Sequence, residues 1–223
     1  MMQLRRAVER YRGGDPQAGI ETRHAFSFGP HYDPDNLRFG PLIACNEERL
    51  KPGAGFDEHP HRDVEIVTWV VEGELTHRDS AGHASVVRPG DVQRLSAGSG
   101  VRHTERNEGE EPLRFVQMWL EPLRPGGEPS YEIVRGIAAG TPYALGNAGA
   151  ALHIVRLAEG ESRALPMSDA GSGAETRTHL QVVRGRVRLP DELLGPGDEL
   201  RISGPHAPEL TAATPAELLI WEM

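Results

Sequence analysis

The chain has 223 residues, a formal net charge of -9, a hydrophobic share of 38% and a single cysteine, Cys45. That length holds one large domain or two small ones, the acidic balance disfavours nucleic-acid and anionic-membrane partners, and one cysteine excludes an internal disulfide framework. No apolar run approaches the ~20 residues of a membrane span, and the opening MMQLRRAVERYRGG lacks a signal-peptide core, so a soluble protein of a reducing, cytoplasmic compartment is expected.

Glycine and proline together make up about a fifth of the chain, which predicts many short strands and few helices. The first segment, residues 24–42, carries His24 and His31, either of which could stand at a cavity mouth. Next comes GFDEHPHRDVEIVTWVVEGEL, where His59 and His61 flank a proline just before an apolar strand pattern. Residues two apart on a strand share a face, so the two imidazoles project together and Pro60 points away, which suits a strand start or edge. His77 and His83 flank the turn DSAG and read as solvated hairpin residues. A return strand, PGDVQRLS, leads into SAGSGVRHTERN, where His103 and Glu105 are again two apart and co-facial. In RFVQMWLEP, Phe115, Gln117 and Trp119 share one face, either a cavity wall or ordinary core.

Beyond the loop EPLRPGGEPS the pattern repeats. VVEGEL and PGDVQRLS of the first half are matched by VVRGRV and PGDELRIS of the second, predicting two related all-β modules, residues 1–128 and 129–223. Each reads as a jelly-roll-like barrel. The C-terminal stretch after Pro208 fits either a short helix or, after Pro215, a last strand. The second copy does not retain the polar residues. Aligned on the turn glycines Gly73 and Gly185, His59 and His61 fall opposite Gly171 and Gly173, and Glu65 opposite Arg177. Aligned on Pro-Gly-Asp, His103 falls opposite Leu210 and Glu105 opposite Ala212. The architecture is duplicated and the polar constellation is not, which ties that constellation to function rather than to folding. His153, His179 and His206 have no second donor at ligand spacing.

If the strands bearing His59, His61, His103 and Glu105 are neighbours inside a barrel, three imidazoles and one carboxylate converge. That donor set suits one divalent transition metal (Fe, Mn, Co, Ni, Cu or Zn), with two coordination positions left in a six-coordinate sphere. Glu65 competes with Glu105 for the fourth place, because strand parity permits both; the one left out could orient a histidine.

HPHRDVEIVTWVVEGELTHRDSAGH followed by PGDVQRLSAGSGVRHTERN closely resembles the pirin family of the cupin superfamily, and residues 24–42 resemble its bacterial branch with quercetin 2,3-dioxygenase activity. The resemblance is strong over about 20–121 and faint beyond 130. It implies a bicupin with one metal, usually iron, in the N-terminal barrel, held by His59, His61, His103 and Glu105. It favours Glu105 over Glu65. The implied activity is oxygenation of a flavonol such as quercetin, or a related enolic aromatic, with dioxygen as co-substrate, Glu105 taking the enolic proton, ring opening and release of carbon monoxide. The alternative within the family is an iron-binding, redox-responsive regulator that docks a protein partner without turnover. A cavity of roughly 300 Å³ or more reaching the metal favours the enzyme. A third reading, a non-redox cupin such as a sugar isomerase, rests on Arg62, Arg102 and Arg106 as phosphate binders.

Overall fold

The structure, a computed structural model, describes residues 1–138, 140–166, 176–204 and 208–223. The expectation of an all-β bicupin holds. Beyond strands, the described residues contain only two single-turn 3-10 segments, Ala7–Glu9 and Gly146–Ala148. The chain divides into two compact units, Arg10–Ile137 and Met1–Glu9 together with Ala138–Met223.

The strands of the first half, in chain order, are β1 (Met2–Arg5), β2 (Tyr11–Gly13), β3 (Ile20–His24), β4 (Leu42–Leu50), β5 (Gly55–His61), β6 (Glu65–Glu72), β7 (Leu75–Asp79), β8 (Ala84–Val87), β9 (Val92–Ser96), β10 (Val101–Arg106), β11 (Leu113–Leu120) and β12 (Ser130–Val134). In the first unit, a seven-stranded sheet runs β12-β9-β6-β11-β4-β3-β2 and a four-stranded sheet runs β5-β10-β7-β8, with every pairing antiparallel. The second half adds β13 (Pro142–Leu145), β14 (Ala150–Leu157), β15 (Ser162–Ala164), β16 (Arg177–Arg184), β17 (Val187–Arg188), β18 (Leu193–Leu194), β19 (Glu199–Ser203), β20 (Glu209–Ala212) and β21 (Ala216–Glu222). Its sheets run β1-β19-β16-β21-β14-β13 and β15-β20-β17-β18. The stretch after Pro208 is therefore two strands and no helix.

The boundary expected after residue 128 lies further on. β12 pairs with β9 over Ser130–Val134 and holds the chain on the first barrel, while β1 pairs with β19 and gives the first nine residues to the second. The duplication is legible in one turn. Gly73 and Gly185 have φ of 76° and 72°, a left-handed conformation that favours glycine. A Cβ added at either would lie 2.7 Å from the carbonyl oxygen of Pro112 or 2.0 Å from that of Pro215, so both hairpins need the bare backbone. Gly171, Gly173 and His206 lie outside the described residues.

Side-chain alternation fills the first barrel with two apolar layers. One contains Ile20, Leu50, Val70, Leu75, Leu113 and Phe115, the other Val64, Ile66, Leu95 and Val101. The inward positions between those layers are polar: Thr22, Glu48, Thr68, His77, Gln93, His103, Glu105 and Gln117 are all buried. An interior belt of this kind is costly unless its members satisfy one another.

Candidate metal centre

The belt converges on three imidazoles. In the β5–β10 ladder His59 stands opposite His103 and His61 opposite Val101. The ring centroids of His59, His61 and His103 lie 4.5 to 4.9 Å apart, and the Nε2 atoms of His59 and His103 are 3.0 Å apart. These three residues each offer a nitrogen within one cluster 4.8 Å across. A second trio, His77, His103 and Glu105, shares His103 with the first.

The ladder is not regular. Between His103 and Glu105 the register slips, so that Glu105 stands opposite Phe56 and β5 carries one extra residue there. The bulge sets His59 in two ways. The Asp57 carbonyl at the bulge accepts from Nδ1 of His59 at 2.7 Å, which leaves Nε2 of His59 with a lone pair directed to the cluster. Simple alternation would also turn Phe56 away from His59; with the bulge both line the same cavity.

Glu105 is completely enclosed by polar neighbours. Its Oε2 accepts from Gln117 Nε2 at 2.7 Å and its Oε1 from Gln93 Nε2 at 3.3 Å. Each amide is itself oriented: Trp119 Nε1 donates to Gln117 Oε1 at 3.0 Å and the Tyr131 hydroxyl donates to Gln93 Oε1 at 2.9 Å. Burial pushes the Glu105 carboxyl up, but His103 and the Gln117 hydrogen bond outweigh it and the net shift is downward, so the group is a carboxylate at neutral pH. Burial, reinforced by the neighbouring imidazoles, pushes His61 down to about 4. Burial does the same to His103 despite the opposing Glu105 charge, again to about 4. Both imidazoles are therefore neutral at pH 7 and keep a nitrogen lone pair.

His77, read from the sequence as a solvated hairpin residue, is fully buried. It stacks on Tyr131 at 4.4 Å, its Nδ1 lies 3.4 Å from Nδ1 of His103, and its Nε2 lies 3.1 Å from Asp79 Oδ2. Asp79 also accepts from the backbone N–H groups of Ala81 and His83. The sequence signal for His77 was its parity with Leu75, two residues earlier and inward in the same strand. His83 is a hairpin residue, partly exposed, on the same carboxylate.

Glu65 belongs to neither trio. It is buried on β6, accepts from Ser96 Oγ at 2.8 Å and faces Arg94 at 3.7 Å. Of the three residues on one face of β11, Gln117 and Trp119 line the cavity, whereas Phe115 packs in the apolar layer with Leu50 and Val70. The three arginines form no phosphate site: Arg102 pairs with Glu58, Arg106 with Asp57, and Arg62 is largely exposed beside Asp63. His24 lines the cavity and His31 stacks on Tyr11.

That cavity has a volume of about 520 Å³ and reaches the cluster through His59 and Glu105. Phe28, stacked on His24 and edge-on to Trp119, forms an aromatic wall with Phe56. The residues fit a transition metal. His61 Nε2 is buried with no hydrogen-bond partner among the described residues, an arrangement that costs free energy unless something else occupies it. The 3.0 Å between the Nε2 atoms of His59 and His103 is also the spacing of two nitrogens at right angles about a shared cation, each ~2.1 Å from it.

Two cupin barrels with a histidine cluster in the first define a metal-site bicupin, and the comparisons with known proteins narrow that class. The Pirin family matches residues 3–120, and the Quercetinase C-terminal cupin domain matches residues 147–223. This chain belongs to the pirin family. It is 34% identical to the quercetin 2,3-dioxygenase of Escherichia coli, covering all of this chain and 99% of that protein. A Mycobacterium tuberculosis protein provisionally named quercetin 2,3-dioxygenase is 42% identical, covering 100% of this chain and 95% of the relative. Crystal structures of YhhW from Escherichia coli superpose at TM-scores of 0.90 and 0.89 with 31% identity, the second of them a complex with nickel(II). The match covers all of this chain and 97% and 99% of those chains.

Proposed function

We propose that the chain is a metal-dependent dioxygenase of the pirin type that oxygenates a flavonol such as quercetin or a related enolic aromatic. The observation that carries this reading is the cavity of about 520 Å³ whose lining includes His59 and Glu105. It is large enough for a drug-sized planar ligand, and a regulator that only senses its metal needs no such space. The relatives named for quercetin oxygenation over their full length support the same reading.

His59, His61, His103 and Glu105 would hold the metal, with iron the first expectation and Mn, Co, Ni, Cu or Zn compatible with the donors. When bound, the metal supplies Lewis-acid binding of an enolate oxygen and electronic coupling of the substrate to dioxygen. The protein does the rest. Phe28, Phe56 and Trp119 bury the rings and exclude water. Glu105, ionised and pinned by Gln93 and Gln117, accepts the proton of the enolic hydroxyl. The three imidazoles are neutral donors, His59 oriented by the bulge carbonyl and His103 backed by His77 and Asp79.

The test is anaerobic purification with metal analysis, followed by oxygen uptake with quercetin. Wild type is expected to hold close to one metal per chain and to consume oxygen. His61→Ala and Glu105→Ala are expected to lose metal and to lower turnover at least 10³-fold. Full metal content with no oxygen uptake on any flavonol would overturn the reading in favour of the regulator.

A further inference from the structure

The cavity lining holds a further carboxyl that the metal chemistry does not use. That residue, Glu48 on β4, is buried, with 4% of its surface exposed. Its Oε2 accepts from Thr22 Oγ1 across the β3–β4 ladder; among the described residues its other oxygen has no hydrogen-bond partner and the carboxyl has no cation. The neighbouring Asn46, also in the cavity wall, uses its Oδ1 on His24 Nδ1 at 3.0 Å, and among the described residues no group takes its amide N–H donors. A carboxyl in a low-dielectric wall with no counter-charge keeps its proton, because the ionised form loses its hydration and gains nothing in return. Burial first, and the Glu105 and Glu47 charges after it, push Glu48 up to about 8. At neutral pH the residue thus offers one hydroxyl donor and free acceptor capacity.

We propose that Glu48, with Asn46 beside it, is a hydroxyl-recognition subsite that selects aromatic substrates carrying a second hydroxyl away from their metal-binding oxygens. A phenolic O–H is both donor and acceptor, as is a protonated carboxyl, so the two exchange a reciprocal pair of hydrogen bonds. An aromatic lacking that hydroxyl would bury the carboxyl and the amide unpaired, and such mismatches are rejected far more strongly than a missing methylene. The aromatic residues of the same cavity, Phe28, Phe56 and Trp119, would hold the ring plane. The proposal rests on the dioxygenase reading for the metal-binding end of the ligand, though not for the discrimination itself.

The test compares quercetin with 3-hydroxyflavone, which keeps the enolic hydroxyl and carbonyl but lacks every other hydroxyl. Anaerobic binding to the nickel-loaded protein is measured by fluorescence quenching, and oxygen uptake is followed separately. Wild type is expected to bind quercetin at least 10-fold more tightly than 3-hydroxyflavone. Glu48→Leu should abolish that ratio, by weakening quercetin and by relieving the unpaired carboxyl that 3-hydroxyflavone buries in wild type. Glu48→Gln, which mimics the protonated acid in shape and in donor and acceptor count, should retain the ratio within about threefold. A ratio unaffected by Glu48→Leu overturns the proposal, as does a Glu48→Gln protein that behaves like Glu48→Leu, since the group would then act as a carboxylate. If flavonols bind with the expected ratios but no variant consumes oxygen, the dioxygenase reading fails and the subsite stands; if neither flavonol binds wild type, both fall.

Discussion

The two barrels of this chain are copies in architecture and opposites in interior. In the first, Thr68 on the central strand pairs with Gln93 on one side and Gln117 on the other. In the second, the corresponding central residue, Leu180, pairs with Leu200 and Ile220 in the same arrangement, and all three belong to a continuous apolar core. Val155 stands opposite Leu218 where Glu48 stands opposite Phe115. The return strand is shifted as well. Glu105 faces His77, four residues past its turn glycine, whereas Ala212 faces Val187, two past the equivalent Gly185. Leu210, rather than the Ala212 expected from the Pro-Gly-Asp alignment, therefore takes the place of Glu105. Thr68, Gln93, Gln117, Glu48 and Glu105 thus all have apolar counterparts, and the polar residues that the copy buries, His179, Gln181, Glu199 and Arg201, alternate with them along β16 and β19. The second barrel forms without polar groups at the five positions, which ties those of the first to function rather than to folding.

Exchanging members between the barrels should break this symmetry in opposite directions. Leu200→Gln buries an amide with no partner in the second core. It is expected to cost about 2–5 kcal/mol in chemical denaturation and to leave metal content unchanged. Gln93→Leu, the reverse exchange, removes one support of Glu105. Its stability loss should be about 1–2 kcal/mol, while metal affinity, read by competition with a chromophoric chelator, falls about 10–100-fold. Equal metal loss in both variants would mean that the contrast between the barrels has no functional content.

A smaller effect sharpens the role of the histidine missed in the sequence. His77→Phe retains the ring that stacks on Tyr131 but removes the nitrogens facing His103 and Asp79. Metal affinity should fall by about 10-fold at an unchanged melting temperature of the metal-free protein. Affinity within twofold of wild type would reduce His77 to packing.

The smallest effect comes from Glu48. Its folded-state value is raised from 4.5 to about 8, so the folded chain holds a proton that the unfolded chain releases. The associated stability is complete below about 4.5 and is lost as pH rises through about 8. Glutamine has no such dependence. Glu48→Gln should match wild type at pH 5 and melt a few degrees higher at pH 8.5 by calorimetry. A constant difference at both pH values would place the ionisation elsewhere.

Much of the candidate site could be read from spacing. Strand parity and absence from the second copy single out His59, His61, His103 and Glu105; the first three lie together as one trio, and Glu105 joins His103 in the second. The two-barrel fold follows from the recurring Gly turn and Pro-Gly-Asp. What escaped depended on departures from that regularity. The bulge at Asp57 that turns Phe56 into the cavity leaves no mark in an alternating pattern. Glu48, Asn46 and Thr22 carry no ligand spacing that would single them out, and what encloses them is assembled from distant segments. His77 reads as a turn residue because hairpin flanks are usually wet; here Tyr131, from a strand more than fifty residues later, covers it. Glu65 satisfies parity as well; its contacts with Ser96 and Arg94 and its place outside both donor trios could be seen only in the fold.

β5 lies at the outer margin of its four-stranded sheet, with β10 as its only neighbour. Two of the three imidazoles are thus carried on an edge strand. A cation held by His59 and His103 would join that strand to β10 through side chains as well as through the ladder. Slower amide exchange along Gly55–His61 on metal addition is then the expected sign of occupancy.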